Sequence, residues 1–313
     1  MLNQWISEAR PRTLVLASGN CIVGAALGFY YGAVNLYTLT LALLIVITAS
    51  FLQILSNFAN DYGDAISGAD AVGRLGPMRS IMEGGITLNQ LRRGMAVVIL
   101  CAAFTGFIAV CMAFGNNLDA IALFLFLGVI SIVAALLYTI GLAYGYKGLG
   151  DIAVFIFFGP LSVIGPQIMI TAASGGGTDI YPDTIALSVS IGLESVMVLH
   201  INNMRDMATD RINGKHTLAV RLGARLSAIY HAILFGIVVL TSFAACYMSH
   251  KGTEIAILAI TLIPLMASTV RIVRNVSDAR LVAAEFKFTI LGITLHTLGW
   301  IIVLTVDFWY YYA

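Results

Sequence analysis

Five long stretches of this chain carry no charge, and they restrict its possible folds more than any other feature. Residues 13–60, 94–118, 120–146, 152–178 and 226–250 contain no Asp, Glu, Lys or Arg. A helix of roughly 20 apolar residues crosses a bilayer core, and 13–60 is long enough for two crossings. Such runs can leave water only as helices, because each helix satisfies its own backbone N–H and C=O groups. The chain is 59 % hydrophobic and 11 % charged, whereas a soluble domain is about 25 % charged. The expectation is an all-α, multi-pass membrane protein forming one domain over residues 1–313.

Nine spans are predicted, over 14–32, 37–57, 94–114, 120–140, 152–172, 184–204, 226–247, 254–272 and 287–306. Tyr31 to Asn35 splits the first pair, the glycine-rich stretch 141–150 separates the fourth and fifth, and residues 174–179 separate the fifth and sixth. The run Gly175-Gly176-Gly177 reads as a flexible loop and not as a phosphate cradle. No cleavable signal peptide is expected, since the span after Arg10 and Arg12 is too long and lacks a cleavage site.

Nine crossings put Arg10, Arg12, Arg74, Arg79, Arg92, Arg93, Lys147, Arg205, Arg211, Lys215, Arg221, Arg225, Arg271, Arg274, Arg280 and Lys287 on one side of the membrane. Lys251 alone, of 17 Lys and Arg residues, falls on the other. Basic residues concentrate on the cytoplasmic side, so the N-terminus is expected in the cytoplasm and the C-terminus outside, in an inner (cytoplasmic) membrane. The aromatic run Trp309 to Tyr312 suits the outer interface. With the charges segregated this way, membrane lipid is the expected surroundings and no nucleic-acid partner is expected. Cys21, Cys101, Cys111 and Cys246 lie in or near apolar spans without a CxxC pair and read as small buried hydrophobes.

Two acidic motifs end apolar runs on the cytoplasmic side. In the first, Asn57, Asp61 and Asp64 share a helical face at steps of four and three; in the second, Asn202, Asp206 and Asp210 do so at steps of four. Carboxylates beside a membrane are costly unless something compensates them. Carboxylates and amide carbonyls suit Mg²⁺, which commonly takes one or two carboxylates together with substrate phosphates. Arg79, Lys147, Lys215 and Arg221 sit nearby in sequence and suit phosphate oxygens. Two acidic clusters with basic residues beside them point to metal ions bridging a polyphosphate. Asp70 and Glu83 are weaker candidates. Thr87-Leu88-Asn89-Gln90 reads as a capping box. Glu194, inside the sixth span, is either functional or a buried hydrogen-bonded group. His200, His216, His231, His250 and His296 form no close ligand set; His200 and His216 flank the second motif.

The patterns Asn57-x-x-Asn60-Asp61-Tyr62-x-Asp64, Asn202-Asn203-x-Arg205-Asp206-x-x-x-Asp210 and Gly214-Lys215-x-Thr217-Leu218-Ala219-Val220-Arg221-Leu222-Gly223 resemble the UbiA superfamily of intramembrane aromatic prenyltransferases. Gly76-Pro77-x-Arg79, Tyr138-Thr139 with Lys147-Gly148-Leu149-Gly150-Asp151, and Phe157-Phe158-Gly159-Pro160 extend the resemblance over nearly the whole chain. They place it nearest the branch acting in menaquinone biosynthesis. The resemblance implies a polyprenyl diphosphate donor, 1,4-dihydroxy-2-naphthoate as acceptor, and Mg²⁺ held by Asn57, Asp61, Asp64, Asn202, Asp206 and Asp210. It implies catalytic roles for the four aspartates, Lys147 and Tyr138. Substrate binding would fall to Asn57, Asn60, Arg79, Asn202, Lys215 and Arg221. Tyr138, Tyr62 or Phe58 could stabilise an allylic cation. The superfamily's third acid of the first motif is absent: Gly68 stands there, and Asp70 comes two residues later. Another aromatic acceptor, such as 4-hydroxybenzoate or homogentisate, is the nearest alternative. A cation transporter using intramembrane carboxylates is the alternative of a different class.

Overall fold

The computed structural model describes residues 2–68, 85–249 and 254–312, with side chains as far as 306. Among these residues there is no strand. A short helix, α1 (Leu2–Ala9), precedes α2 (Pro11–Tyr31), α3 (Leu36–Ser67), α4 (Leu88–Phe114) and α5 (Leu118–Leu137). A 3₁₀ turn, Tyr144–Lys147, leads into α6 (Gly150–Phe158) and α7 (Pro160–Ala173). Then follow α8 (Pro182–Arg205), α9 (Met207–Ile212), α10 (Leu218–Met248), α11 (Ile255–Asn275) and α12 (Ala279–Tyr312). Among the described residues, 9 spans are long and apolar enough to cross a membrane, with α6 and α7 together forming one of them. All nine expected spans are present.

Local chemistry sets the helix ends. Helix α3 starts in a capping box, with Thr38 N donating to Asn35 Oδ1 over 3.0 Å and Asn35 N donating to Thr38 Oγ1 over 3.1 Å. The expected Thr87–Gln90 box opens α4, with bonds of 3.2 and 2.8 Å. The fifth span, expected as one helix, is two. Pro160 has no N–H to continue the ladder and opens α7 instead. The elbow also packs tightly on α8: a Cβ added at Gly159 would lie 2.9 Å from the Gly192 Cα and 2.6 Å from the Ser188 carbonyl. In α10 the helix is interrupted at Gly223 (φ 73, ψ 172), which separates its first turn from the membrane span.

Helix α8 is the hub, with 72 % of its span buried, against 6 % for α5, which therefore faces lipid and the interior cavity described below. Helix α8 packs on α10, α12, α6 and α7, while α2 joins α7, α3 and α12, and α4 and α5 pack on α3. Helices α2 and α7 approach closely through Gly24 and Gly28, where an added Cβ would lie 2.4 Å from the Val163 carbonyl and 2.5 Å from the Ile170 Cβ. Small residues at such crossings are the usual device in lipid, where burial of apolar surface gives no net drive for helices to associate.

Glu194 lies in this packed interior. It is fully buried, and its Oε1 is 2.5 Å from the His296 Nδ1. The His296 Nε2 lies 3.3 Å from the Ser242 Oγ, which bonds Ser190 at 2.7 Å. The network ties α8, α10 and α12 together, so of the two expectations for Glu194 the buried hydrogen-bonded role is the one observed.

Candidate functional site

The two acidic motifs, far apart in sequence, come together at one end of the bundle. The first lies on the final turns of α3, which runs on to Ser67 beyond the predicted span. The second straddles a break. Helix α8 ends at Arg205, Asp206 adopts φ −96 and ψ 7, and α9 restarts at Met207. Its expected single helical face is therefore carried across two helices. The four-residue hydrogen bonds still persist, from Asp206 N to the Asn202 carbonyl (3.0 Å) and from Asp210 N to the Asp206 carbonyl (2.8 Å).

Basic and phenolic groups fasten the motifs to each other. Lys215, just after the second motif, donates to Asp64 Oδ1 in the first over 2.9 Å. Tyr146, from the 3₁₀ turn, donates to the same oxygen, and its ring lies 4.6 Å from the Lys215 Nζ. Arg10, at the α1–α2 corner, pairs with Asp61. Arg205 forks onto Asp206 with bonds of 2.8 and 2.5 Å. Arg221 braces the two loops at the mouth, donating to the carbonyls of Lys147 (2.7 Å) and His216 (3.1 Å), while His216 N bonds the Tyr146 carbonyl at 2.7 Å. The Lys147 side chain is exposed at the same mouth. Arg79, Asp70 and Glu83 lie outside the described residues.

Asp210 registers the crowding of negative charge. Burial pushes its carboxyl up, Lys215 pulls it down, and the carboxylates of Asp206 and Asp64 push it up again, to about 6. Among the described residues no three His, Cys, Asp or Glu side chains converge on one point as a ready-made metal cage. The arrangement is two opposed carboxylate pairs interleaved with cations. That set fits a divalent ion whose remaining ligands are phosphate oxygens.

The asparagines divide in role. Asn57 is engaged within the protein: it donates to the Ala9 carbonyl (2.9 Å) and Thr13 (3.3 Å) and accepts from Gln53 (3.1 Å), pinning the α1–α2 corner to α3. Asn60 and Asn202 instead line an internal cavity of about 640 Å³. This volume lies within the roughly 300–1,000 Å³ usual for ligand sites. The cavity begins beneath the acidic mouth at Asn60, Asn202 and Tyr138 and extends past Ile132 and Leu125 to Phe124 and Met169. Of the three aromatic residues expected near a cation, Tyr138 lines it, whereas Phe58 packs on Trp5 with ring centroids 5.4 Å apart, and Tyr62 packs in an apolar cluster with Leu55 and Leu91. His200 is buried against the Ser227 carbonyl at 3.2 Å, and His216 is exposed.

In the sequence Arg10 counted only as a charge, Arg205 stood in the second-motif pattern without a role, and Tyr146 had none. Nothing in their spacing ties them to an acid 51 or 82 residues away, as Arg10 and Tyr146 are tied. The one available sign was that all three lie on the cytoplasmic side of the predicted topology.

Several known proteins are similar to this chain in sequence or in fold. A 1,4-dihydroxy-2-naphthoate octaprenyltransferase of Escherichia coli (strain K12) is 37 % identical over 309 residues, covering 97 % of this chain and 96 % of that one. The Haemophilus influenzae protein of the same name is 37 % identical over 305 residues, covering 96 % of each. The apo structure of a UbiA homolog from Aeropyrum pernix K1 superposes with a TM-score of 0.69 at 17 % identity, covering 95 % of this chain and 98 % of that one. A UbiA homolog from Archaeoglobus fulgidus, solved bound to DMAPP and Mg²⁺, gives 0.59 at 16 % identity, covering 93 % and 99 %. The sequence pattern of the UbiA prenyltransferase family matches residues 20–291. With its paired acidic motifs facing each other above an apolar cavity, this chain belongs to the UbiA prenyltransferase family.

Proposed function

We propose that this protein transfers a polyprenyl group from polyprenyl diphosphate to 1,4-dihydroxy-2-naphthoate, releasing diphosphate and CO₂ and giving demethylmenaquinol. One observation carries the chemistry: two acidic motifs bridged by Lys215 stand at the mouth of a 640 Å³ apolar cavity inside the membrane. A substrate with a diphosphate head and a long hydrocarbon tail matches both halves. The 37 % identity to the E. coli octaprenyltransferase over 97 % of the chain supports the acceptor.

Asp61, Asp64, Asp206 and Asp210 would hold Mg²⁺ at the diphosphate. When bound, the ion neutralises charge on the leaving group. Lys215, Arg10 and Arg205, which pair with these carboxylates, would meet diphosphate oxygens, as would Lys147 at the rim. Heterolysis of the prenyl C–O bond sends its electron pair to diphosphate and leaves an allylic cation. Tyr138 lines the cavity, and its ring would stabilise such a cation there. The electron-rich naphthoate carbon bearing the carboxylate forms the new C–C bond. Loss of CO₂ from the same carbon returns an electron pair to the ring and restores aromaticity. The protein supplies charge, orientation and exclusion of water, and needs no nucleophile of its own.

The concentration of Lys and Arg on the motif side favours a site facing the cytoplasm of a cytoplasmic membrane. Membranes containing the protein, incubated with Mg²⁺, polyprenyl diphosphate and 1,4-dihydroxy-2-naphthoate, should form prenylated naphthoquinol and CO₂, and lose that activity on chelation. Product from a parallel 4-hydroxybenzoate incubation, with none from the naphthoate, would overturn the assigned acceptor.

A further inference from the structure

One buried carboxylate takes no part in the mechanism above. Asp151 lies in the first turn of α6, where a negative charge suits the helix N-terminus. It is 6 % exposed, and a carboxylate so placed is costly unless it is bonded. Its Oδ2 accepts from the Tyr230 hydroxyl of α10 over 3.0 Å. Beside it stands His200 of α8, with Nδ1 3.9 Å from the same oxygen and its ring edge-on to Tyr230 at 4.8 Å. The His200 Nε2 is the donor nitrogen, because its partner at 3.2 Å is the Ser227 carbonyl. Asp151 thereby ties the start of α6 to α10 and packs it on α8.

That first turn forms part of a cage around Tyr138. The chain leaves α5 at Tyr138 and folds back through the 3₁₀ turn, where Gly145 N bonds the Tyr138 carbonyl at 3.0 Å. An added Cβ at Gly145 would lie 2.6 Å from the Tyr138 Cε1, and one at Gly150 would lie 2.6 Å from the Tyr138 hydroxyl oxygen. Both distances are below van der Waals contact, so the ring fits only because both neighbours lack a side chain. Tyr144 closes a third side, edge-on with ring centroids 5.3 Å apart, and its own hydroxyl donates to the Ala134 carbonyl at 2.8 Å. Tyr138 also lines the cavity. Gly150 immediately precedes Asp151, so the wall that meets the Tyr138 hydroxyl is attached to the anchored carboxylate.

We propose that Asp151 and Tyr230 are positioning residues for Tyr138: they fix α6 so that Gly150, together with Gly145, holds the aromatic ring where the allylic cation forms. This assignment rests on the prenyltransferase reading above. A ring free to turn would still fill space, but cation–π attraction needs the cation over the ring face. The cation exists only once the prenyl C–O bond has broken. Holding the ring therefore contributes to kcat and not to the binding of either substrate.

The test is steady-state kinetics with polyprenyl diphosphate and 1,4-dihydroxy-2-naphthoate varied separately. Tyr230→Phe, which removes one hydroxyl, should lower kcat about threefold or more, with both KM values within about twofold of wild type. Asp151→Leu should act in the same direction and more strongly, and Asp151→Asn, which keeps an oxygen for Tyr230, should restore most of the loss. Gly150→Ala should lower kcat about tenfold in wild type but no more than about twofold in a Tyr138→Phe background. There the clashing oxygen is gone, and the nearest atoms, the ring Cζ and Leu199 Cδ2, lie 3.4 Å from the added Cβ. Equal loss from Gly150→Ala in both backgrounds, which a role confined to folding would give, overturns the cage. So does a donor KM that rises as kcat falls, or an unchanged kcat in Tyr230→Phe. If Asp151→Leu does not accumulate, Tyr230→Phe and the Gly150→Ala comparison decide between them. An active wild type with any of these contrary results overturns this assignment alone, whereas a wild type that forms no prenylated product overturns the underlying reading and the assignment with it.

Discussion

Each aspartate of the two motifs lies among basic groups, and the consequences of substitution follow from that. Asp61 pairs with Arg10 and Asp206 with Arg205, so under the proposed function removing either carboxylate deletes a proposed Mg²⁺ ligand and leaves a cation without its acid. Asp61→Ala and Asp206→Ala should each lower turnover at least about 100-fold, with the protein still accumulating in the membrane. Near-normal activity in both would exclude the four-aspartate site. Glu194 and His296 give the opposite prediction, because neither lines the cavity. Each is 0 % exposed, so Glu194→Leu or His296→Leu alone leaves a polar partner stranded. Each single change should cost about 3 kcal/mol of stability, read as a lower unfolding temperature in detergent. The double change, with apolar groups on both sides, should recover part of the loss. A double variant less stable than either single would show that the pair contributes net attraction.

At the scale of the helix, close approach decides what is tolerated. Gly28 on α2 backs onto Ile170 of α7, where an added Cβ would sit 2.5 Å from the Ile170 Cβ, whereas at Gly236 on α10 nothing lies within 4 Å. Gly28→Leu should therefore prevent the α2–α7 crossing and sharply reduce folded protein, seen as loss of a monodisperse chromatographic peak. Gly236→Ala should leave that peak unchanged. The helices themselves were legible in the sequence, since span positions follow from charge-free length and the Thr87–Gln90 box from local spacing. The elbow at Gly159–Pro160 and the break at Asp206 were not. A proline within an apolar run can kink a helix or divide it, and only the packing of Gly159 on Gly192 shows that here it divides.

For the molecule as a whole, the cavity and the topology are the quantities to test. Gly128 lines the cavity, and no atom lies within 4 Å of its added Cβ. Gly128→Phe should obstruct a long prenyl tail, cutting product from a long polyprenyl diphosphate about tenfold or more while sparing dimethylallyl diphosphate; equal loss with both would place the tail elsewhere. The proposed orientation, with both motifs toward the cytoplasm, predicts that Gly176→Cys reacts with a membrane-impermeant maleimide on intact cells. Asn213→Cys should react only after permeabilisation, and the reverse pattern would invert the topology.

The sequence alone determined the class of fold, the number of crossings and the two acidic motifs. Those depend on local quantities: hydrocarbon thickness against run length, the distribution of Lys and Arg, and residues that share a face because they are three or four apart. Tertiary structure alone decided which cation meets which acid, that Asn57 is a structural pin while Asn60 faces the cavity, and that Glu194 belongs to the packed interior. Those depend on helices distant in sequence meeting at particular rotations about their axes. In lipid that rotation is set by small-residue contacts and buried polar pairs spread over several helices, and no single segment carries it.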